Sequence, residues 1–229
     1  GLDLEFDGQS RAFVVAAAAG PSVTSGSTYL PRFPTALPGI APGGPFAATT
    51  PPEVADARAF EERLARAIQN GTFLQLVVVP REYDRTAEEL ASRFPLVRID
   101  VEEVVLHTLR ETADALGVDW NLVLAADEST SSPDWQNLRQ LVDRARDAIA
   151  SRLFAAEKVS LLLYPDILVR YGLKSLLADL SGEVGNPGGP QGLWLLLPGG
   201  HVPLIDGEPV GVVGQQAVVP EAWIQNLHR

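Results

Sequence analysis

The sequence contains neither cysteine nor methionine, and only two of its 18 basic residues are lysines. Without cysteine the chain can form no disulfide, no thiolate nucleophile and no thiolate-ligated metal site. It also lacks an apolar run of about 18 residues, the length that a membrane-spanning helix requires, so we expect no membrane association. Because the chain starts at Gly1 and contains no methionine, we expect it to be a piece of a longer protein.

Basic residues are too few to balance the acidic ones. The 229 residues include 29 Asp and Glu against 18 Lys and Arg, which gives a net charge of −11. We therefore expect no direct nucleic-acid binding, since neutralising phosphates requires a basic face. The net charge is −1 over residues 1–50, −8 over residues 51–150 and −2 over residues 151–229. The acidic middle region indicates where a basic partner surface would bind.

The proline content divides the chain into three parts. Residues 21–52 hold 8 of the 18 prolines, and proline favours an extended linker there because it fixes φ and lacks a backbone N–H. Residues 1–20 contain one strand-like run, residues 11–17, after a turn at Asp7-Gly8. We interpret them as the end of a preceding domain or as an added edge strand. We expect residues 53–229 to form one α/β domain.

Helical and strand patterns alternate along residues 53–229. Apolar runs predict buried strands at residues 73–79, 159–163 and 193–197, and a further strand is predicted at residues 96–101. Helical periodicity predicts helices at residues 55–70, 86–94, 102–116, 120–126, 133–156, 173–180 and 221–227. The turn at Asp206-Gly207 predicts a hairpin or an edge strand within residues 203–213. This alternation predicts a three-layer α/β sandwich with a mainly parallel sheet.

The layout resembles the topology of P-loop proteins, but the phosphate loop is absent. A phosphate cradle needs glycines, which let backbone N–H groups approach the phosphates, followed by a Lys-Ser or Lys-Thr pair. The segment after the first strand of the α/β domain, residues 80–84, reads PREYD instead. The one Lys-Ser pair, Lys174-Ser175, has no glycine loop before it. We therefore exclude a P-loop.

No catalytic constellation is recognisable in the sequence. The G-x-S-x-G elbow, the H-E-x-x-H zinc motif, the calcium loop, and the kinase motifs H-R-D and D-F-G are absent. His107, His201 and His228 are far apart in the chain, and His107 has apolar neighbours in a helix, which favours a partly buried structural residue. We predict no catalytic residue, no metal site and no cofactor in this segment.

Polar residues near the predicted strand ends are the candidates for ligand binding, because α/β domains bind ligands at that edge. They are Arg81, Asp166, Arg170 and His201. Asp166 follows a strand at the position where P-loop proteins hold magnesium, although the same position suits a turn or a helix cap. Arg170 suits a carboxylate or phosphate ligand, or the surface end of a helix. Trp223 suits core anchoring or an interface with a neighbouring domain or subunit.

Eight stretches, taken in order, resemble the C-terminal region of the PglW-type serine/threonine kinases of type 2 BREX (phage growth limitation) defence systems. They are residues 59–67 (AFEERLARA), 73–78 (FLQLVV), 117–127 (GVDWNLVLAAD), 134–138 (DWQNL), 169–172 (VRYG), 192–198 (GLWLLLP), 205–207 (IDG) and 220–224 (PEAWI). The resemblance covers about three quarters of the chain, from Phe60 onwards.

The resemblance implies a cytoplasmic regulatory or protein-interaction domain at the C-terminal end of a kinase. The parent kinase would use ATP and Mg²⁺, but none of its functional residues has a matching position in this segment. It implies partners among a methyltransferase, a phosphatase-like protein and a P-loop ATPase, and it is compatible with an oligomer. The alternative is a degenerate nucleotide-binding sensor with a ligand near Arg81, Asp166 and His201. A third alternative, an unrecognised hydrolase, requires catalysis by Asp166 or His201.

Overall fold

The computed structural model describes Leu4–Asp7, Ala12–Val15 and residues 51–227, and the chain divides into two compact units, Gly1–Ala47 and Ala48–Arg229. In the first unit, strands β1 (Leu4–Asp7) and β2 (Ala12–Val15) pair antiparallel. The sequence predicted a strand at the position of β2 but none at β1. The predicted linker, apart from its last two residues, lies outside the described residues.

The second unit alternates helices with strands. Its helices are α1 (Pro52–Asn70), α2 (Tyr83–Arg93), α3 (Val101–Leu116), α4 (Trp120–Asp127), α5 (Pro133–Arg152), α6 (Asp166–Arg170), α7 (Ser175–Gly182) and α8 (Glu221–Ile224), and a 3-10 turn covers Pro80–Glu82. Its strands are β3 (Phe73–Val78), β4 (Leu96–Asp100), β5 (Val159–Leu163), β6 (Gly192–Pro198), β7 (Leu204–Ile205), β8 (Glu208–Pro209) and β9 (Gln215–Val218).

Five of these strands form one sheet in the order β4-β5-β6-β3-β9, and all four pairings are parallel. β7 and β8 form the predicted hairpin, with Asp206 and Gly207 both at positive φ in its turn. The sequence did not predict β9. This edge strand has three exposed residues of four and therefore carries no apolar run.

The sheet separates two apolar cores, which confirms the predicted three-layer α/β sandwich. Side chains of β6 alternate between them: Leu193, Leu195 and Leu197 face one core, whereas Trp194 and Leu196 face the other. Helices α3 to α7 cover the first core, and α1, α2 and α8 cover the second. Strands buried on both faces explain the continuous apolar runs of the sequence.

Local signals set most of the helix boundaries. The Ser132 hydroxyl accepts a hydrogen bond from the backbone N–H of Asp134 (3.1 Å) and so caps α5. Gly71 and Gly117 end α1 and α3 in the left-handed conformation, with φ of 59° and 69°. Helix α5 nevertheless ends at Arg152, four residues before the predicted end, and α2 begins at Tyr83, three residues before the predicted start.

Helix length and polarity also bear on the membrane question. Within the described part of the chain, none of the helices combines the length and the apolar character needed to cross a bilayer.

Candidate functional site

The topology places a crevice at the carboxyl ends of β3 and β6. The chain leaves β3 through α2 on one face of the sheet and leaves β6 on the opposite face, towards β7 and β8. Adjacent strands whose connections run to opposite faces leave an opening at their ends, where α/β proteins bind ligands. A cleft of about 260 Å³ lies here, which we call the strand-end cleft. Its lining residues are Pro80, Tyr83, Asp84, Tyr164, Asp166 and Pro198.

Tyr83 ties the ends of two strands together beneath this cleft. Its side chain starts α2 and is buried. The hydroxyl donates a hydrogen bond to the carbonyl of Leu196 (3.2 Å) and accepts one from the backbone N–H of Tyr164 (2.9 Å). Burial raises the pKa of Tyr83 well above its ordinary value. The neutral phenol is therefore the form that holds the strand ends together, and the sequence analysis had assigned Tyr83 no role.

Tyr164 closes the opposite wall of the strand-end cleft. It follows β5 with a φ of 52°, a left-handed conformation uncommon for a residue other than glycine. Its hydroxyl donates a hydrogen bond to the carboxylate of Asp84 (2.6 Å), and that bond raises the pKa of Tyr164. The rings of Tyr83 and Tyr164 lie 5.1 Å apart. The two tyrosines and Asp84 therefore form one connected group across the cleft.

Asp166 lies in the strand-end cleft, as the sequence analysis expected, and is engaged within the chain. Its carboxylate accepts a hydrogen bond from the backbone N–H of Asp206 (3.0 Å) in the β7–β8 turn. It does not cap its own helix, because α6 has no side-chain cap. Asp166 thus fixes the hairpin to the end of β5.

Arg81 is next to this cleft in sequence but is not among its lining residues. Its side chain is 70% exposed, and its nearest carboxylates are those of Glu82 (3.7 Å) and Glu221 (3.8 Å). The first turn of α2 carries the acidic Asp84, and Glu82 directly precedes it. Carboxylates at a helix N-terminus disfavour an anionic ligand there.

Arg170 lies outside the strand-end cleft. Its guanidinium donates hydrogen bonds to the side chain (3.1 Å) and the backbone carbonyl (2.6 Å) of Asp127, and the first of these bonds raises the pKa of Arg170. The guanidinium also lies 5.8 Å from the ring centroid of Trp135. Arg170 therefore joins α6 to α4 and α5, which is a structural role.

The two histidines that the structure describes, His107 and His201, are not gathered into a site. His201 is exposed between β6 and β7. His107 is exposed as well, and its Nε2 lies 3.1 Å from a carboxylate oxygen of Glu111. The expectation of a partly buried His107 was wrong because this residue points away from the buried face of α3. His228 lies outside the described residues.

Trp223 is fully buried, so its side chain leaves no surface for a partner and serves as a core anchor. Its indole N–H donates a hydrogen bond to Glu61 (2.9 Å), and its ring meets Phe60 edge to face at 5.2 Å. The guanidinium of Arg93 lies 3.9 Å from the ring centroid. These contacts attach α8 to α1 and α2. Arg93 was not singled out from the sequence, where it reads as an ordinary helix-end arginine.

A second cavity, of about 340 Å³, lies between the end of α3, α4 and α5; we call it the α4 groove. Apolar and polar side chains both line it: Leu116, Val118, Leu122, Val123, Ala125, Ala126, Asp134, Asn137, Leu138, Gln140, Leu141 and Arg144. Leu122 is 66% exposed and Leu116 46% exposed. The groove was not predictable from the sequence, since apolar helix positions are normally assigned to a core.

Metal binding has no support from the geometry of residues 51–227. Among the residues that the structure describes, no cluster of three or more histidine, aspartate or glutamate side chains is placed to hold an ion. Comparison with known proteins found no matching family model, no matching curated protein and no matching solved structure.

Proposed function

We propose that this chain is a noncatalytic protein-interaction domain from the C-terminal region of a PglW-type kinase of a cytoplasmic BREX defence system. The resemblance of the eight sequence stretches, taken in order, supports the choice of family. The exposed apolar α4 groove carries the interaction role, because single exposed apolar residues are common on monomers whereas a contiguous apolar groove is typical of a binding surface.

The α4 groove stands out among the exposed apolar residues. Of the ten large hydrophobic side chains that are exposed in the described part of the chain, four lie between Leu116 and Leu124. Leu116, Val118 and Leu122 line the groove itself. Keeping these side chains in water has a free-energy cost that a bound partner would remove.

In the strand-end cleft, by contrast, the polar side chains already form hydrogen bonds within the chain. Asp84 accepts from Tyr164, Asp166 accepts from the backbone of Asp206, and the Tyr83 hydroxyl is used twice. A general acid or base must be within reach of a substrate proton. These groups already bond to partners within the chain instead, which favours a structural role for the cleft.

The experiment uses the purified full chain and the three implied partners: the methyltransferase, the phosphatase-like protein and the P-loop ATPase. Each is tested by biolayer interferometry against the wild type, Leu122→Asp and Val213→Asp. Val213 is 99% exposed and does not line the α4 groove, so it is the matched control. We expect one partner to bind with a Kd that Leu122→Asp weakens at least about tenfold. Failure of all three partners to bind would refute the proposal.

A degenerate nucleotide sensor is the second candidate, favoured by the cleft at the carboxyl ends of β3, β5 and β6 with Asp166 in its wall. The carboxylate of Asp84, which lines the cleft in the first turn of α2, weighs against it because it would repel the phosphates. A thermal-shift measurement with ATP and Mg²⁺ decides the matter. Binding to the folded state alone raises the Tm, and no rise at millimolar nucleotide rejects the sensor.

A further inference from the structure

We propose that the α4 groove binds a basic amphipathic helix of a partner protein. The inference rests on the proposed interaction function and adds the chemistry of the partner. It combines three observations: the apolar lining of the groove, the charge of the segment around it and the type of element that forms its walls.

The apolar lining favours a ligand with a hydrophobic face. Leu138 and Leu141 are buried on α5 beneath the groove, and Leu116, Val118 and Leu122 remain partly or largely exposed beside them. The walls are helices, and no strand of the five-stranded sheet lines the groove. A partner therefore cannot bind here by adding a strand, whereas an amphipathic helix can place its apolar face between two helices.

The segment around the groove is acidic. Residues 111–138 contain six carboxylates and no lysine or arginine, whereas Arg139 follows directly and Arg144 lines the groove itself. Two of the six have a cation of their own, since Glu111 pairs with Arg152 and Asp127 pairs with Arg170. The other four are not in an ion pair within residues 51–227: Asp114, Asp119, Glu128 and Asp134. A partner whose charge is complementary to these carboxylates is basic.

The polar residues along α5 give the ligand an expected charge order. Asp134, Asn137, Gln140 and Arg144 line the groove at helical spacing. Asp134 and Arg144 are ten residues apart, which is about 15 Å along a helix. A bound helix therefore carries its basic residues at the Asp134 end of the groove, and Arg144 disfavours them at the other end.

A second copy of this chain is a poor occupant for the same reason. Each copy carries a net charge of −11, and two acidic surfaces repel each other at moderate ionic strength. Self-association through the groove is consequently an outcome that contradicts the proposal, and sedimentation of wild type and Leu122→Asp detects it.

The test uses the full chain and two designed fluorescent peptides with the same leucine-lined helical face. One peptide carries lysines beside that face and the other carries glutamates. Fluorescence anisotropy is expected to show binding of the lysine peptide, at least about tenfold weaker binding to Leu122→Asp, and unchanged binding to Val213→Asp. Raising the salt from about 50 to about 300 mM should weaken the lysine complex several-fold. Circular dichroism confirms that each variant is folded.

Two charge variants test the expected charge order. Arg144→Glu should tighten binding of the lysine peptide and Asp134→Asn should weaken it, each by a few-fold. Both side chains line the groove. Equal or tighter binding of the glutamate peptide, or lysine-peptide binding insensitive to Leu122→Asp, would overturn the inference.

The inference and the proposed function fail separately. If a BREX partner binds with Leu122 sensitivity but the lysine peptide does not bind, only the partner chemistry is wrong. If the lysine peptide binds as described but none of the three partners binds, only the assigned family function is wrong.

Discussion

Replacing Arg93 with methionine should destabilise the α/β domain strongly, because this residue is a nearly buried cation. Its side chain is only 3% exposed. The guanidinium donates to Glu89 at 2.7 and 2.9 Å, to the Trp223 carbonyl at 3.1 Å and to Asn226 at 2.5 Å. It also lies 3.6 Å from a carboxylate oxygen of Glu61. Methionine keeps much of the volume and removes the charge and every donor.

The magnitude follows from what the substitution leaves behind. Removing one partner of a buried ion pair costs about 3 to 5 kcal/mol, because the other charge stays desolvated. Glu89 and Glu61 keep 25% and 30% of their side-chain exposure, so we expect the lower limit, about 3 kcal/mol. For a domain of this size that corresponds to a fall in Tm of about 6 to 12 °C.

Urea unfolding followed by circular dichroism measures the free energy, and Arg85→Met is the matched control on the same helix. Arg85 is 52% exposed and lies 3.9 Å from Glu82, so its loss should cost less than about 0.5 kcal/mol. The double variant Arg93→Met/Glu89→Gln should cost at least about 1 kcal/mol less than the sum of the two single variants. Equal destabilisation by Arg93→Met and Arg85→Met, or strict additivity, would refute the reasoning.

Three further predictions concern single residues. Burial raises the pKa of Tyr83, so the folded state keeps a proton that the unfolded state releases above about pH 10. The free energy of unfolding should therefore fall as the pH rises through that range. Urea unfolding at several pH values should show a smaller fall for Tyr83→Phe than for the wild type. A Cβ at Gly71 would lie 2.5 Å from the carbonyl oxygen of Gln191, whereas one at Gly117 would meet no atom within 4 Å. In calorimetry, Gly117→Ala should therefore lower the free energy of unfolding by about 1 kcal/mol and Gly71→Ala by at least about 2 kcal/mol. Ser132→Ala should cost about 1 kcal/mol in the same assay through loss of the α5 cap, and an unchanged Tm would contradict that role.

The strand-end cleft and the α4 groove differ in whether their side chains already have partners within the α/β domain. The cleft lies where α/β proteins usually bind ligands. Its two tyrosines bond to each other and to Asp84, and Asp166 bonds to the backbone N–H of Asp206 in the β7–β8 turn. The groove lies between α3, α4 and α5, shares no lining residue with the cleft and exposes Leu122 to solvent. Under the proposed function, the partner binds at these helices and not at the strand ends.

The candidate site could be predicted only in part. Asp166 was placed correctly at the strand ends, because a residue that follows an apolar strand must lie at that edge of the sheet. Tyr83 was not identified, since its hydroxyl contacts the backbone N–H of Tyr164, 81 positions further along the chain. For Arg170 the sequence left a ligand role and a helix end open, and it did not reveal Asp127 as a partner because that residue is 43 positions away.

The sequence by itself determined the layers of this protein, and the tertiary structure decided which side chains meet. Apolar runs, the Ser132 cap and the left-handed glycines act within a few residues, so they predict helices, buried strands and a parallel sheet locally. The contact between Arg93 and Trp223 spans 130 residues, and the exposure of Leu122 depends on how α3, α4 and α5 pack. Such contacts depend on the chain path in space, which local periodicity does not encode.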